Sequence, residues 1–506
     1  MISSRSSIKS FKHSIPSPPQ EPLPDIPVDQ TVKAPLVAKA PADQTVKAPA
    51  DQTANPQPAF TPEEIERLSR PKVLISGAGI GGLTLAILLQ KGGIPYEGIA
   101  SLLTQLGIYD EFVAIGKPQK KMKIYTEDLK LQFANDFSKI DRVGGSGYYS
   151  LSRADLYDLL WRQVNKDNIL LGKRVLSFSQ NEEGVTLKCS DNWSHHGDIL
   201  VGADGAYSAV RQHLYKLLKA DSKLPSRDDV TLPYSCVCLV GQTTVLSTDE
   251  FPALKAETCD ANSVLGVENM CTFLTKVTSK QNDSFRSSEW GPEAAEAMAR
   301  EVRDFKVPGG KDGQVLTMGD YIDRTPKDLI AKVMLEEIVF DTWHNGRVVL
   351  LGDANLIETH VQMNPCGAAG AQTAMHDAAA LANWICTLRL PTVKDLNKVF
   401  KEYRAERYPV AKEAFETSQM FTKMAGKTMM AVVVRASMKR VPSWLWRRLL
   451  IKMSQARPQC SFLPLVEDKG EVKPLHQPSL HKTLAIRKQK MEKAPVVATA
   501  TAATAI

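Results

Sequence analysis

The sequence predicts an α/β protein: a doubly wound, Rossmann-like dinucleotide-binding domain with an inserted sheet-based substrate domain and helices at the C-terminus. Three observations predict it. The run KVLISGAGIGGLTLAILLQK, 72–91, reads as strand, glycine turn and helix. The run DILVGADGAYSAVR, 198–211, carries a second apolar strand into an Asp-Gly turn. The run GRVVLLGDA, 346–354, carries a third into Gly-Asp, and an Ala-rich helical stretch follows to Ile385.

The elements around these runs set the boundaries. Residues 1–60 are rich in Pro, Ala, Ser and Lys, with DQTVKAP at 29–35 and again at 43–49, so they bury too little apolar surface to fold and are expected to be disordered. A helix is expected from Thr61-Pro62-Glu63-Glu64, where Thr can cap and Pro suits the first turn. The dinucleotide-binding domain then runs in two segments, 61–230 and 341–400. Within the first, YYSLSRADLYDLLWRQVN has helical spacing with Ser152 as N-cap, and ILLGKRVLSFSQ, GVTLKCS and HGDILVGADG read as strands. The segment between, 231–340, mixes strand-like VCLVGQTTVL with helical EWGPEAAEAMAREVRDF, and is assigned to the substrate domain. Helices are expected over 401–480 and a disordered tail over 481–506.

Composition removes several function classes. Apolar residues make up 43% and charged residues 24% of the 506, an ordinary globular balance. No apolar run reaches the roughly 18 residues of a membrane span. The eight cysteines include no paired C-x-x-C, and the histidines no H-E-x-x-H, so no metal is expected. The net charge of +7 is concentrated: between Glu416 and Glu467 stand nine Lys or Arg and no acid. Nothing resembles a nucleic-acid module.

The glycines Gly77, Gly79 and Gly82 form G-x-G-x-x-G between a strand and a helix. That setting gives a tight turn, close backbone approach to a pyrophosphate, and a helix N-terminus whose free N–H groups and positive dipole end face the phosphates. An acid to hold the ribose is expected about 20 residues on, where Glu97 stands.

Taken in this order and spacing, the three motifs resemble those of the FAD-dependent aromatic hydroxylases. These are the class A flavoprotein monooxygenases of the p-hydroxybenzoate hydroxylase fold, including the ubiquinone-biosynthesis hydroxylases, and the nearest likeness is to fungal members. The resemblance covers roughly residues 71–480. It implies that Gly77, Gly79 and Gly82 contact the FAD pyrophosphate, and that Asp204, Gly205 and Arg211 belong to a motif serving FAD and NAD(P)H. It further implies that Gly352 and Asp353 meet the ribityl chain, that Arg153 contacts FAD, and that Gly367, Gly370 and Ala371 bring a helix start to the isoalloxazine. The implied reaction is NAD(P)H-dependent insertion of one oxygen atom of dioxygen, through a flavin hydroperoxide, into a hydrophobic aromatic or isoprenoid small molecule.

Two departures from that pattern accompany it. After Glu97 comes Gly98, the place of a second acid is taken by Ala100, and the chain passes at once into SLLTQLGIYDEF. One lost charge-assisted ribose contact removes about 1.5–3 kcal/mol, so an alternative stands beside the enzyme: a non-catalytic or truncated relative with impaired FAD binding. In addition, NLIETHVQ intervenes between Ala354 and Met363, and its His360 reads as a surface residue; no catalytic base is assigned.

The run VPSWLWRRLLIKM, 441–453, places Trp446, Leu449, Leu450 and Met453 on one helical face beside Arg447, Arg448 and Lys452. It reads first as a docked surface helix and second as a peripheral membrane contact. The expected location is the cytoplasm, with a mitochondrial alternative resting on the acid-free first twenty residues.

Overall fold

The computed structural model describes residues 71–493 apart from 92–98, 119–120, 126–128, 148, 152, 231, 233, 242, 245, 247–248, 250–259, 262–270, 278–290, 308–310, 359–368, 426–428, 430–432 and 434–441. Glu97, Ser152, His360, Gly367 and the helix expected from Thr61 lie outside the described residues.

The first strand, β1 (Val73–Ser76), turns into α1 (Ile80–Lys91), and α2 (Ile99–Gln105) and α3 (Tyr109–Ile115) follow. A hairpin of β2 (Lys121–Tyr125) and β3 (Leu131–Asp136) precedes the short α4 (Ile140–Gly144) and α5 (Arg153–Trp161). An antiparallel meander, β4 (Val175–Gln180), β5 (Val185–Cys189) and β6 (Ser194–Gly197), leads into β7 (Ile199–Gly202) and α6 (Ala209–Ala220). The inserted unit supplies β8 (Tyr234–Gly241), β9 (Cys271–Val277), α7 (Pro292–Val302) and β10 (Ala331–Val339). The chain then returns through β11 (His344–Asn345) and β12 (Val348–Leu350) and leaves through β13 (Leu356–Glu358). Among the described residues the chain ends with α8 (Ala369–Ile385), α9 (Val393–Ala425), α10 (Ser443–Ser454) and α11 (Pro478–Lys493).

The first sheet has the order β1-β7-β12-β11, with β1 and β12 each parallel to β7. Its register pairs Val73 with Ile199 and Val348 with Leu200. Side chains of a strand alternate between faces, and both faces here are apolar. Ile199, Val201 and Val349 join the core that contains α1, α2, α8 and α9, while Leu200, Val348 and Leu350 join the core under α6 and the meander. Burial on both sides is why these strands read as unbroken apolar runs rather than alternating ones.

The second sheet is antiparallel, ordered β9-β8-β10-β13. Its last strand comes from the NLIETHVQ insertion: Leu356, Ile357 and Glu358 pair with Val339, Ile338 and Glu337. The departure seen in the sequence thus extends the substrate-side sheet by one strand, which begins one residue after the Gly352–Asn355 turn.

The tail expected from residue 481 is corrected by α11, which continues to Lys493. It holds because its start is fastened: Ser479 donates to both oxygens of Glu406, at 3.0 Å from N and 3.0 Å from Oγ, and the Thr483 hydroxyl donates to Asn383 O at 3.2 Å. Glu406 also accepts from Trp384 Nε1 at 2.8 Å, so one carboxylate ties three helices.

Candidate functional site

The three glycine-bearing turns leave the same end of the same sheet. Because β1, β7 and β12 are parallel, Gly77, Ala203–Gly205 and Leu351–Asp353 all follow strand C-termini, where ligands of open α/β sheets bind. Backbone bonds hold the exits level: Ala203 N donates to Ser76 O at 2.8 Å and Leu351 N to Gly202 O at 2.9 Å.

The glycines of the first turn divide by what a side chain would meet. A Cβ on Gly77, whose φ is +107°, would lie 2.3 Å from Ala203 O, and one on Gly82 would lie 2.0 Å from Gly77 O. These two are required by the packing of turn, helix and neighbouring loop. A Cβ on Gly79 meets nothing within 4 Å, so that glycine faces open space just before α1 begins. Gly81, which the sequence reading passed over, is closed: its Cβ would stand 2.6 Å from Leu351 Cδ2 and 3.2 Å from Ala374 Cβ. It seats the start of α1 against the third turn and α8.

In the second turn Gly205 has φ +81° with open space beside it. Asp204 points its carboxylate at the start of α6, accepting from Ser208 Oγ at 2.5 Å, Ala209 N at 2.9 Å and Val210 N at 3.2 Å. Burial pushes its carboxyl upward and these donors oppose the rise. Arg211 is buried, stacked over Phe340 at 4.5 Å, and donates to Ala354 O at 3.1 Å and to Ala206 O. Both residues therefore fasten the second turn, and Arg211 joins it to the third.

The third turn contains Gly352, with φ +60°, and the half-buried Asp353. Behind it lies a polar cluster that the sequence reading missed. Gly352 N donates to Asp377 Oδ2 at 3.3 Å, and Asp377 Oδ1 accepts from Arg407 Nε at 2.7 Å, their side chains 0% and 8% exposed. Asn355 Nδ2 donates to Leu350 O at 3.1 Å, and the Tyr403 hydroxyl lies 3.4 Å from the same oxygen. Burial drives the Asp377 carboxyl upward, with the Arg407 charge as the main counterweight. Beside them His376 is held neutral by burial, its pKa well below the ordinary value. The one signal in the sequence is a lone acid in the apolar stretch AMHDAAALANWI, since a buried carboxylate demands a partner.

Gly370 and Ala371 lie half-buried in the first turn of α8, as the resemblance implied, and Arg153 is the first residue of α5, exposed to solvent. Thus the turns of Gly77, Asp204 and Gly352 converge, a Cβ on Gly352 would lie 3.0 Å from Ala374 Cβ of α8, and Arg153 forms no ion pair among the described residues.

The chain resembles known flavoproteins in sequence and in fold. The FAD binding domain family matches residues 313–418, which include the third turn, α8 and most of α9. The chain is 27% identical over 387 residues to the FAD-dependent monooxygenase paxM of Penicillium paxilli, covering 70% of this chain and 78% of paxM. It is 26% identical over 391 residues to the FAD-dependent monooxygenase verC1 of Penicillium polonicum, and there spans 70% of this chain but 47% of verC1. The chain is thus similar to FAD-dependent monooxygenases. The fold agrees: Klebsiella pneumoniae HpxO, solved with FAD and uric acid, superposes with a TM-score of 0.57 at 19% identity, over 76% of this chain and 95% of HpxO. A salicylate hydroxylase substrate complex superposes with a TM-score of 0.50 at 19% identity, over 76% of this chain and 98% of that one.

The residues of the three turns fit FAD. A Cβ meets nothing within 4 Å at Gly79 and Gly205, while Gly77 and Gly82 close against backbone and Gly81 against Leu351 and Ala374, which leaves room for a ligand at the first two. Among the described residues β1 pairs with β7 alone.

Proposed function

We propose that this FAD monooxygenase takes electrons from NAD(P)H and inserts one oxygen atom of dioxygen into a hydrophobic aromatic or isoprenoid small molecule. The observation that carries the reading is the convergence of three glycine turns at the C-terminal ends of β1, β7 and β12, in a chain whose relatives are FAD-dependent monooxygenases. HpxO was solved with uric acid, a heteroaromatic ring, and this supports a ring substrate here.

Bound FAD supplies the two-electron chemistry and the activation of dioxygen. The chain's own groups do the rest. The turn of Gly77 and Gly79 and the N-terminus of α1 would hold the pyrophosphate by backbone N–H groups and dipole. Gly205, Gly352 and Asp353 would receive the ribityl portion. The first turn of α8, at Gly370 and Ala371, would direct its positive end at the ring edge that becomes anionic on reduction. The sheet β9-β8-β10-β13 starts its last strand beside the Gly352–Asn355 turn and would wall the substrate off from water.

The test is purification followed by flavin absorption and substrate-stimulated NAD(P)H oxidation. A yellow protein whose NAD(P)H consumption rises with an aromatic or isoprenoid substrate supports the reading. The non-catalytic alternative gives the opposite result, a colourless protein that takes up no FAD in titration calorimetry.

A further inference from the structure

The basic stretch between Glu416 and Glu467 is not used by the flavin chemistry, and the structure separates its two faces. Helix α10 docks by one of them. The Trp446 ring packs edge-on against Phe137 at 5.6 Å and donates from Nε1 to Asp136 O at 3.0 Å, Leu450 is buried, and Ser454 lies against Gly144. These residues stand four apart and mark the inner side. The apolar face that the sequence offered to a membrane is therefore occupied at Trp446 and Leu450.

The opposite side presents a different set. Trp444 and Arg448 stand four apart, Leu445 and Lys452 seven apart, and both pairs fall on the outward half of the helix. Trp444 is 60% and Leu445 44% exposed. Arg447 and Arg448 are exposed, and neither is paired with a carboxylate among the described residues. The acids near this helix are already engaged: Glu413 binds Lys452, Asp468 binds Arg457 at 3.1 Å, and Asp136 accepts from Ser138 N at 2.8 Å.

We propose that this outward face of α10 lies on an anionic lipid surface, with Trp444 and Leu445 at the interface, Arg448 among the headgroups and the exposed Arg447 at the edge of the face. An exposed Trp flanked by two guanidinium groups that pair with no carboxylate among the described residues matches the level where a bilayer is half apolar and negatively charged. Fifty residues without a carboxylate (417–466) leave nothing in that stretch to repel such a surface. No helix among the described residues is long and apolar enough to cross a membrane, so the contact is a peripheral one.

The experiment is flotation of the full chain with vesicles of phosphatidylcholine alone and with vesicles that also carry phosphatidylserine, alongside sedimentation velocity. Co-flotation with the anionic vesicles only, weakened by salt, supports the proposal. The R447A/R448A variant should partition roughly thirty-fold more weakly, the change that about 1 kcal/mol per cationic side chain near such a surface corresponds to. W444A should weaken it further while the far-ultraviolet circular dichroism of both variants stays that of the wild type. Failure of the wild type to float, equal flotation with both vesicle types, or unchanged flotation of R447A/R448A overturns it. A concentration-dependent dimer abolished by W444A would assign the face to a second copy and overturn it too.

Discussion

Replacing Arg407 with Met tests the idea that the third turn is held from behind. In the wild type the Asp377 carboxylate is wholly buried, accepts from Arg407 Nε at 2.7 Å and from Gly352 N at 3.3 Å, and has no water-facing edge. R407M keeps most of the side-chain volume but leaves a buried carboxylate without its cation, which costs about 3–5 kcal/mol. At about 2 °C per kcal/mol for a folded body of this size, the flavin-release midpoint should fall by about 6–10 °C. The double variant R407M/D377N removes the orphaned charge while an amide oxygen can still accept from Gly352 N, so more than half of the loss should return. The assay is thermal unfolding followed by flavin fluorescence and by circular dichroism on the same samples. A drop below about 2 °C for R407M, or a double variant no better than R407M, would refute the reasoning, because the pair would then contribute no more than a surface salt bridge.

Other outcomes follow from the same geometry. G77A should abolish the flavin-bound fold, since its Cβ would sit 2.3 Å from Ala203 O at a φ of +107°; soluble yield and absorption report it. G79A should leave the melting midpoint of the apoprotein unchanged, because its Cβ meets nothing within 4 Å, and lower only the FAD affinity seen by titration calorimetry. Arg347 is buried and donates to the carbonyls of Asn181, Glu182, Asp198 and Pro391, so R347M strands four acceptors and should yield insoluble protein. His344 is pushed down from 6.5 to about 4, first by burial and then by Arg404. The unfolded chain therefore binds the proton first, so this stability is present above 6.5 and is lost as pH falls towards about 4, on the order of 3 kcal/mol. His376 titrates in the same direction. Denaturant midpoints across that window should slope less in H344Q than in the wild type, and an equal slope would exclude His344.

The parts of the fold that the sequence revealed are those with local causes. Strand, glycine turn and helix at 73–91 announce themselves because φ above zero and a 2.0 Å backbone approach admit glycine alone. Boundaries were harder where side chains from elsewhere decide. The run HGDILVGADG divides into β6 and β7 around Asp198, whose carboxylate accepts from Lys72 N at 2.7 Å. Helix α11 was missed because its composition is polar and its stability comes from Glu406 and Asn383, about 75 to 100 positions earlier in the chain. In the site, glycines were legible and their fastenings were not. Asp377 and Arg407 stand 30 residues apart on two helices, and only the packing of α8 on α9 brings them together. The NLIETHVQ insertion looked like a defect because pairing of Ile357 with Ile338 cannot be read from either stretch alone.

Asp204 and Arg211 show how the turns act together. The resemblance gave both to the cofactors, yet Asp204 spends its carboxylate on three donors at the start of α6, and Arg211 spends its guanidinium on Ala354, Ala206 and the face of Phe340. Each turn is thereby tied to another: the first to the second where Gly77 meets Ala203, the second to the third through Arg211, and the third to α8 and α9 through Asp377 and Arg407. Such ties fix the spacing of the backbone donors before any ligand arrives, and donors that need no reorganisation favour binding by cutting its entropic cost. All three glycine turns have this bracing.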